Sequence, residues 1–219
     1  MKLIDKKHKI YLLDEEKFDF PTLNMMNDDL VAIGGDFHPQ RLLNAYENGI
    51  FPWFIDDLGY IHWFSPQKRM VLYPENFKVS KSLRKSIANK GFIVKSNKNF
   101  EEVIRSCAKI KRKHEDGTWI SEEFIKAYTN LHKLDIAFSI ECYLKDELVG
   151  GLYGVLIGDI FCGESMFSLV PDASKVAFYH LCQQAKQNGI KIIDCQVYND
   201  HLASLGAYEI SREEYFKVL

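Results

Sequence analysis

The order of predicted elements in the second half of the chain constrains the fold more than any other feature. Alternating apolar residues predict an antiparallel meander over residues 137–144, 148–157 and 160–167. A long helical pattern follows and ends at Gly189, and residues 190–197 form an apolar run typical of a buried strand. A meander that leads into a β-α-β unit produces a mixed sheet with helices on both faces. The sequence therefore predicts an α+β fold.

This arrangement is similar to the N-acetyltransferase (GNAT) fold, in which substrates meet where two central strands separate. We expect that separation between the strand ending near Phe167 and the strand starting near Ile190. The other elements predicted after residue 78 are helices that start after Ser80, Asn99 and Ser121, a short strand over 92–95, a short helix over 199–205 and a last strand over 208–216.

The first third of the chain carries little regular periodicity. One helix is predicted there, with Pro39 in its first turn and Gly49 as its stop. Turn-rich and aromatic-rich segments surround it. We expect a small irregular N-terminal domain over residues 1–75, packed on a larger GNAT-like domain over residues 76–219.

Charge is distributed unevenly along the chain. Lys and Arg number 28 and Asp and Glu 30, giving a net charge of −2, which is not typical of a uniformly basic nucleic-acid binder. Residues 78–113, however, contain twelve basic residues and only two acids, a density that suits phosphate binding. Lysines on amphipathic helices are also commonly just solvated. The stretch therefore indicates RNA binding only if a second feature requires RNA.

Cysteine usage and hydropathy favour a cytoplasmic location. No apolar run approaches the roughly 18 residues that span a bilayer. The first ten residues carry charges without an apolar core, so no signal peptide is predicted. The five cysteines form no CxxC pair, which predicts free thiols in a reducing compartment and neither disulfides nor a zinc site.

Two carboxylates interrupt strands that are otherwise apolar. Glu164 and Asp194 lie in neighbouring predicted strands, and an ionised carboxylate in a buried strand is costly unless it is paired or functional. Because side chains alternate along a strand, Asp194 and Gln196 are expected on one face, as are Glu164 and Met166. Together they predict a cleft that binds a cationic group. The alternative is that these acids satisfy buried backbone groups or an internal Lys or Arg.

Two tryptophans occupy turn-flanked segments. Trp53 and Trp119 either close the edge of a core or stack on nucleobases, a contact worth about 1–3 kcal/mol per base. His201, on a short helix, suits capping or packing. Neither GxxxxGK[ST] nor GxGxxG occurs, so no nucleoside triphosphate or dinucleotide chemistry is predicted. No cysteine has a histidine at a spacing typical of a thiolate nucleophile.

Longer motifs carry a family resemblance. They are AIGGD (32–36), NGIFPWF (48–54), WFSP (63–66), GTWI (117–120), LVGGLYG (148–154), FCGESMFS (161–168), IDCQ (193–196) and His201 with SLGA (204–207). In these the chain closely resembles the bacterial leucyl/phenylalanyl-tRNA–protein transferase family. It departs from the family pattern at Phe138, where a histidine is expected, and it ends before the family's C-terminal tail. These departures bear on peripheral RNA contacts.

The resemblance implies a specific reaction and site. Members move Leu or Phe, and also Met, from aminoacyl-tRNA to the α-amine of proteins beginning with Arg or Lys, which creates a degradation signal, and they require no metal or CoA. By resemblance, Trp53 and Trp119 hold the terminal adenosine. The remaining implied roles are an apolar pocket (Leu152, Phe161, Met166), orientation of the cationic acceptor (Glu164, Asp194) and assistance to deprotonation of the amine (Asp194, Gln196).

The resemblance to a family that uses tRNA is a second, independent indication of RNA binding. The basic stretch over residues 78–113 is therefore interpreted as an RNA-binding surface. We expect the acceptor stem to dock there, against Lys78, Lys81, Arg84 and Lys85, and we expect a monomer. Two rivals remain. A CoA-dependent N-acetyltransferase predicts a glycine-containing pyrophosphate loop before the long helix, where this chain has LVPDAS (169–174). A non-enzymatic tRNA-binding module predicts no activity to lose when Asp194 is altered.

Overall fold

A computed structural model describes residues 1–110 and 118–219. The chain forms two compact units, the first containing residues 1–69 and 209–219 and the second residues 70–208. This division differs from the predicted one, because the C-terminal residues group with the N-terminal unit. In the part of the chain described, no helix has the length and apolar character needed to cross a membrane.

The first unit contains a five-stranded sheet, so it is more regular than its sequence suggested. The elements are β1 (Lys2–Asp5), β2 (Ile10–Leu13), β3 (Leu30–Gly34), α1 (Pro39–Glu47), β4 (Phe51–Ile55) and β5 (Ile61–Phe64). The sheet order is β1-β2-β3-β5-β4. Strands of four or five residues are too short to show a clear alternating pattern, and Pro52 lies in β4, where its missing N–H is tolerated at a sheet edge.

The second unit contains the larger sheet and most of the helices. Its elements, with those that complete the chain, are β6 (Lys68–Leu72), α2 (Lys81–Asn89), β7 (Ile93–Ser96), α3 (Phe100–Lys109), α4 (Glu122–Lys133), β8 (Ala137–Leu144), β9 (Glu147–Ile157), β10 (Ile160–Ser168), α5 (Ala173–Gln187), β11 (Ile192–Gln196), α6 (Asp200–Ser204), β12 (Tyr208–Ser211) and α7 (Arg212–Tyr215). The seven-stranded order is β12-β6-β11-β10-β9-β8-β7, and the unit boundaries fall within β6 and β12.

The predicted meander and β-α-β unit are confirmed. Strands β8, β9 and β10 pair antiparallel. Strand β10 pairs parallel with β11, and α5 connects these two strands. Adjacent glycines show that helices cover both faces. A Cβ on Gly150 would lie 2.5 Å from the Cβ of Ala173 in α5, whereas one on Gly151 would lie 3.5 Å from Cγ2 of Val103 in α3. Consecutive strand residues point to opposite faces, so α5 and α3 lie on opposite sides of the sheet.

The chain after β12 was predicted wrongly as a continuing strand to residue 216. The strand ends at Ser211, whose hydroxyl accepts the N–H of Glu214 while the Glu214 carboxylate accepts the N–H of Ser211. This reciprocal pair is a capping box, and it starts α7. The Ser-x-x-Glu spacing was visible in the sequence, but the apolar residues around it favoured a strand.

Candidate active site on strands β10 and β11

The centre of the site is a contact between neighbouring strands. The side-chain nitrogen Nε2 of Gln196 donates to Oε1 of Glu164 at 2.8 Å. Parallel pairing of β10 with β11 covers only three residues of each strand and ends at Cys162 and Asp194. The two polar side chains therefore meet just beyond the last paired residues, in agreement with the expected separation of the strands.

Both strands carry a bulge at the site. The register of β10 with β9 shifts between Gly163 and Ser165, and that of β11 with β6 shifts between Asp194 and Gln196. Gln196 has a φ of 62°, a left-handed conformation that costs energy for a residue with a side chain. The two-residue alternation expected for Asp194 and Gln196 does not hold across a bulge. Hydrogen bonds, and not strand spacing, bring the amide to Glu164.

Asp194 contacts the backbone of Gln196. Its Oδ1 accepts the Gln196 N–H at 2.9 Å, and the residue is fully buried. This contact supports the left-handed turn at Gln196, since an aspartate oxygen that accepts an N–H two residues on closes a local loop. The structure therefore assigns to Asp194 a role in holding Gln196 in place, and its contact with an acceptor amine stays a prediction.

Sequence reasoning missed Tyr128. Its hydroxyl donates to Oε2 of Glu164 at 3.0 Å from the buried face of α4. Each carboxylate oxygen of Glu164, which is 8% exposed, thus has a donor, and such hydrogen bonds are what a buried carboxylate requires. Nothing in the sequence distinguishes Tyr128 from the other apolar-face residues of α4. Only the tertiary contact identifies it.

The two tryptophans lie in different units. Trp119 is half-buried and meets Phe124 edge to face with ring centroids 5.2 Å apart. Phe124 and Tyr128 stack at 6.2 Å, one turn apart on α4, so an aromatic row leads from Trp119 to the Glu164 partner. Trp53, on β4 of the first unit, is also half-buried and packs edge to face on Phe64 at 4.8 Å. Gly117 of the GTWI motif lies outside the described residues.

The predicted apolar pocket residues share one sheet face. Met166 pairs with Leu152 across β9 and β10, and Phe161 packs over Gly154, where a Cβ would lie 2.7 Å from its ring. Leu152 and Phe161 are each 3% exposed and belong to the core beside α5, and half-buried Met166 packs against that core. The bulge separates this face from the side on which Tyr128 and Glu164 meet. A single pocket that contains both the three apolar residues and Glu164 stays a prediction.

The basic stretch is divided among several elements. Lys78, Lys81, Arg84 and Lys85 are all exposed, the last three on α2, which contains no acidic residue. Elsewhere in the stretch the charges are partly paired: Arg105 with Glu101 and Glu122, and Lys90 with Asp172. Lys111, Arg112 and Lys113 lie outside the described residues. Within the basic stretch, helix α2 with Lys81, Arg84 and Lys85 is therefore the strongest candidate for phosphate contacts.

Four of the five cysteines are buried, and Cys195 is half-buried against the core. Burial raises the pKa of Cys142 and of Cys182 to about 12. Burial and then the neighbouring Asp194 charge also raise the pKa of Cys195. Thiols with such values carry almost no thiolate at neutral pH and are poor nucleophiles. Burial lowers the pKa of His201, which favours its neutral form.

Comparison with known proteins agrees with the motifs. Residues 71–219 match the model of the family described as leucyl/phenylalanyl-tRNA protein transferase, and residues 35–67 match the model of its N-terminal domain. The chain belongs to the leucyl/phenylalanyl-tRNA protein transferase family. A relative of that name from Flavobacterium johnsoniae is 50% identical over 96% of this chain and 99% of its own length. Another, from Hydrogenovibrio crunogenus, is 50% identical over 97% and 84%.

The solved structures to which this chain is similar are more distant. One is FemX, with a TM-score of 0.48 and 11% identity over 81% of this chain and 70% of that chain. A GCN5-related N-acetyltransferase from Kribbella flavida has a TM-score of 0.42 and 10% identity over 83% and 65%. Family membership makes the protein an aminoacyltransferase that passes an aminoacyl group from tRNA to a protein.

Proposed function

We propose that this member of the leucyl/phenylalanyl-tRNA protein transferase family transfers Leu or Phe, and also Met, to the α-amine of proteins that begin with Arg or Lys. The product carries a new N-terminal residue that marks it for degradation. Its partners are Leu-tRNA, Phe-tRNA and the acceptor protein, and it acts as a cytoplasmic monomer without a metal or CoA. The hydrogen bond between Gln196 and Glu164 is the observation that supports this proposal most directly.

The reaction needs alignment more than activation. The acceptor amine attacks the ester carbonyl, a C–N bond forms, the ester C–O bond breaks, and the 3′-oxygen of tRNA leaves with a proton. The ester is already activated, so the enzyme has mainly to hold the amine against the carbonyl. Positioning reactants in this way lowers the activation barrier by several kcal/mol, on the order of the gain known for well-oriented intramolecular reactions.

Gln196 is suited to orient the amine. An ionised carboxylate only accepts hydrogen bonds, so the amide of Gln196 must turn its nitrogen to Glu164. Its amide oxygen is then the group that can accept an N–H of the attacking amine. An amide is a very poor base, so the proton itself leaves through Asp194, water or the ribose hydroxyl of the tRNA.

Glu164 and Asp194 give the site its preference for a cationic acceptor. Glu164 is held by Tyr128 and Gln196, and its negative charge attracts the side chain of an N-terminal Arg or Lys. In this proposal the aminoacyl side chain enters beside Leu152, Phe161 and Met166. Shape selection of this kind is worth about 1–3 kcal/mol per methylene, so partial acceptance of Met is expected.

The tRNA is held at two places. Trp53 and Trp119 stack on the 3′-terminal adenosine, and Lys78, Lys81, Arg84 and Lys85 contact phosphates of the acceptor stem. Both tryptophans are half-buried and the four basic side chains are exposed, which suits stacking and backbone contact respectively.

The test is a transfer assay with radiolabelled Leu-tRNA and a peptide that begins with Arg. We expect label in that peptide, in a Lys-starting peptide and, with Phe-tRNA as donor, in both. The same peptide with an acetylated N-terminus, or with Asp in the first position, should stay unlabelled. Acetyl-CoA serves as the control donor. Transfer from acetyl-CoA and none from Leu-tRNA would replace the proposal with an N-acetyltransferase.

Trp53→Ala and Trp119→Ala test the adenosine site in the same assay. We expect each to raise the KM for Leu-tRNA roughly tenfold, as the loss of one base-stacking contact predicts. An unchanged KM in both variants removes the stacking assignment while leaving the reaction itself in place.

A further inference from the structure

A buried arginine joins the C-terminal segment to the strand that carries Trp53. Arg69 is 1% exposed, and its Cζ lies 4.8 Å from the ring centroid of Phe51 and 4.6 Å from that of Tyr215. Its Nη1 also donates to the carbonyl of Gly49 at 3.0 Å. The guanidinium is therefore held between an aromatic ring of β4 and one of α7, an arrangement favoured by the faces of both rings.

The turn before β4 is packed against α7 as well. Gly49 has a φ of 65°, and a Cβ placed on it would lie 2.9 Å from Cε2 of Phe216 and 3.4 Å from Cε1 of Tyr215. No other residue type fits both this left-handed conformation and this close approach. The turn that leads into β4 is thus in close contact with both C-terminal rings and with Arg69.

The segment 209–219 is itself anchored independently of Arg69. Arg212 is 4% exposed and donates through Nη2 to the carbonyl of Asp28 at 2.7 Å and through its backbone N–H to the carbonyl of Gln67 at 2.9 Å. The capping box of Ser211 and Glu214 sets the start of α7. The rings that contact Gly49 and Arg69 therefore have a defined position.

The contact continues from Phe51 to Trp53. The ring centroids of these two residues lie 6.2 Å apart, and Trp53 also packs edge to face on Phe64, with centroids 4.8 Å apart. We propose that residues 209–219 position Trp53 for the aminoacyl-adenosine, with Tyr215 and Arg69 as positioning residues. This inference rests on the proposed function, in which Trp53 stacks on the terminal adenosine.

The test compares Tyr215→Leu with Tyr215→Phe in the full-length protein. The leucine variant stays apolar but loses the ring that faces Arg69, whereas the phenylalanine variant keeps it. We expect Tyr215→Leu to raise the KM for Leu-tRNA roughly fivefold to tenfold, a smaller change than the full loss of a desolvated cation–π contact would cause, because Trp53 itself is still present to bind. The kcat and the KM for an Arg-starting peptide should change less than about twofold. Tyr215→Phe should have the same KM for Leu-tRNA as the wild type.

Val218→Ala is the matched control, because Val218 lies in the same segment and is 40% exposed; it should leave every constant unchanged. A folded Tyr215→Leu with an unchanged KM for Leu-tRNA overturns the inference. So does a variant in which kcat falls and both KM values change together, because that pattern shows only a general structural role. Should Tyr215→Leu fail to fold, Arg69→Lys, which keeps the charge and a donor without the planar guanidinium, decides by the same criteria.

Trp53→Ala separates this inference from the function on which it rests. If the wild-type protein transfers no Leu from Leu-tRNA, the proposed function fails. If the wild type is active and Trp53→Ala raises the KM but Tyr215→Leu and Arg69→Lys do not, only the inference about residues 209–219 fails. If Trp53→Ala leaves the KM unchanged, Trp53 has no role in binding and the inference fails with that assignment.

Discussion

The amide nitrogen of Gln196 lies 2.8 Å from Oε1 of Glu164, directly beyond the point where the parallel pairing of β10 and β11 ends. The contact joins two bulged strands, and it fixes which end of the amide faces the carboxylate. Its geometry makes the pair a unit: a change in one residue alters the hydrogen-bonding state of the other.

The first prediction concerns an exchange of these two side chains. Gln196→Glu places two carboxylates at hydrogen-bond distance, where like charges prevent both from ionising. We expect at least a hundredfold fall in transfer. The double variant Glu164→Gln, Gln196→Glu restores one amide and one carboxylate and should recover about tenfold of that loss, as coupled residues do. Gln187→Glu on the exposed end of α5 is the control. If the loss of transfer in the double variant equals the sum of the free-energy losses of the single variants Glu164→Gln and Gln196→Glu, the two residues do not act as a pair.

The second prediction separates two roles of Asp194. Asp194→Ala removes the acceptor of the Gln196 N–H. We expect kcat to fall at least a hundredfold, because Gln196 no longer aligns the attacking amine with the ester carbonyl. The KM for Leu-tRNA should stay within about twofold of the wild-type value. Asp194→Asn keeps an oxygen that can accept this N–H, and we expect it to retain activity within about tenfold of wild type. Steady-state assays measure both. Equal losses in the two variants would show that the charge of Asp194 is required.

The third prediction concerns Tyr128. Tyr128→Phe keeps the ring packing with Phe124 and removes only the hydroxyl that donates to Glu164. Hydrogen bonds to charged groups contribute roughly 1.5–3 kcal/mol, so kcat/KM for the Arg-starting peptide should fall about tenfold to a hundredfold. Tyr179→Phe on α5 should have no such effect. A Tyr128→Phe variant with wild-type kcat/KM would show that Glu164 needs no second donor.

The fourth prediction concerns the basic side of α2. Replacing Lys81, Arg84 and Lys85 by Ala should reduce the slope of log binding constant against log salt, because each lost phosphate contact lowers the slope by roughly one unit. The control removes the same charge from Lys109, which is exposed at the end of α3, and from Lys126 and Lys133, which are exposed on α4. A reduced slope in the control and not in the α2 variant would place the tRNA backbone elsewhere.

The fifth prediction is a pH-dependent stability difference at Asp172. A hydrogen bond from Ser86 of α2, at 2.6 Å, and the nearby Lys90 hold the pKa of Asp172 below its usual value of 3.8. A carboxyl whose pKa is lowered by folding stabilises the protein above its unfolded pKa, and this contribution disappears as the pH falls through the folded pKa. Asp172→Asn should therefore lower the free energy of unfolding by about 1 kcal/mol at pH 7.

The same variant should match the wild type once the pH falls below the lowered pKa of Asp172. Denaturant unfolding of both proteins between pH 7 and pH 2.5 measures the difference. Asp159→Asn is the control, since Asp159 pairs with Lys191 only at the exposed surface, and such pairs contribute little to stability. A stability difference that persists unchanged into acid would show that the Asp172 charge is not its source.

Local patterns were sufficient for most helices and strands after residue 78 and for their order. The meander, the helices that begin after Ser80 and Ser121, and the β-α-β unit follow from side-chain periodicity and caps, which act within a few residues. Glu164, Asp194 and Gln196 could also be singled out as polar groups in apolar strands, and the basic residues as a dense run of charge. The role of Trp53 and Trp119 came from the family resemblance and stays a prediction. The short strands of the first unit could not be identified, since four residues carry too little pattern.

The sequence by itself determined the α+β class, the meander of β8, β9 and β10 with its β-α-β unit, and the family, because long motifs and periodic patterns are properties of the chain. Tertiary structure alone decided which groups of the candidate site meet. It placed Tyr128 against Glu164, turned the Gln196 amide toward that carboxylate through two bulges, and buried Asp194 against a backbone N–H. Such contacts depend on bulges and on residues up to 36 positions apart, and no local pattern specifies where a bulge directs a side chain.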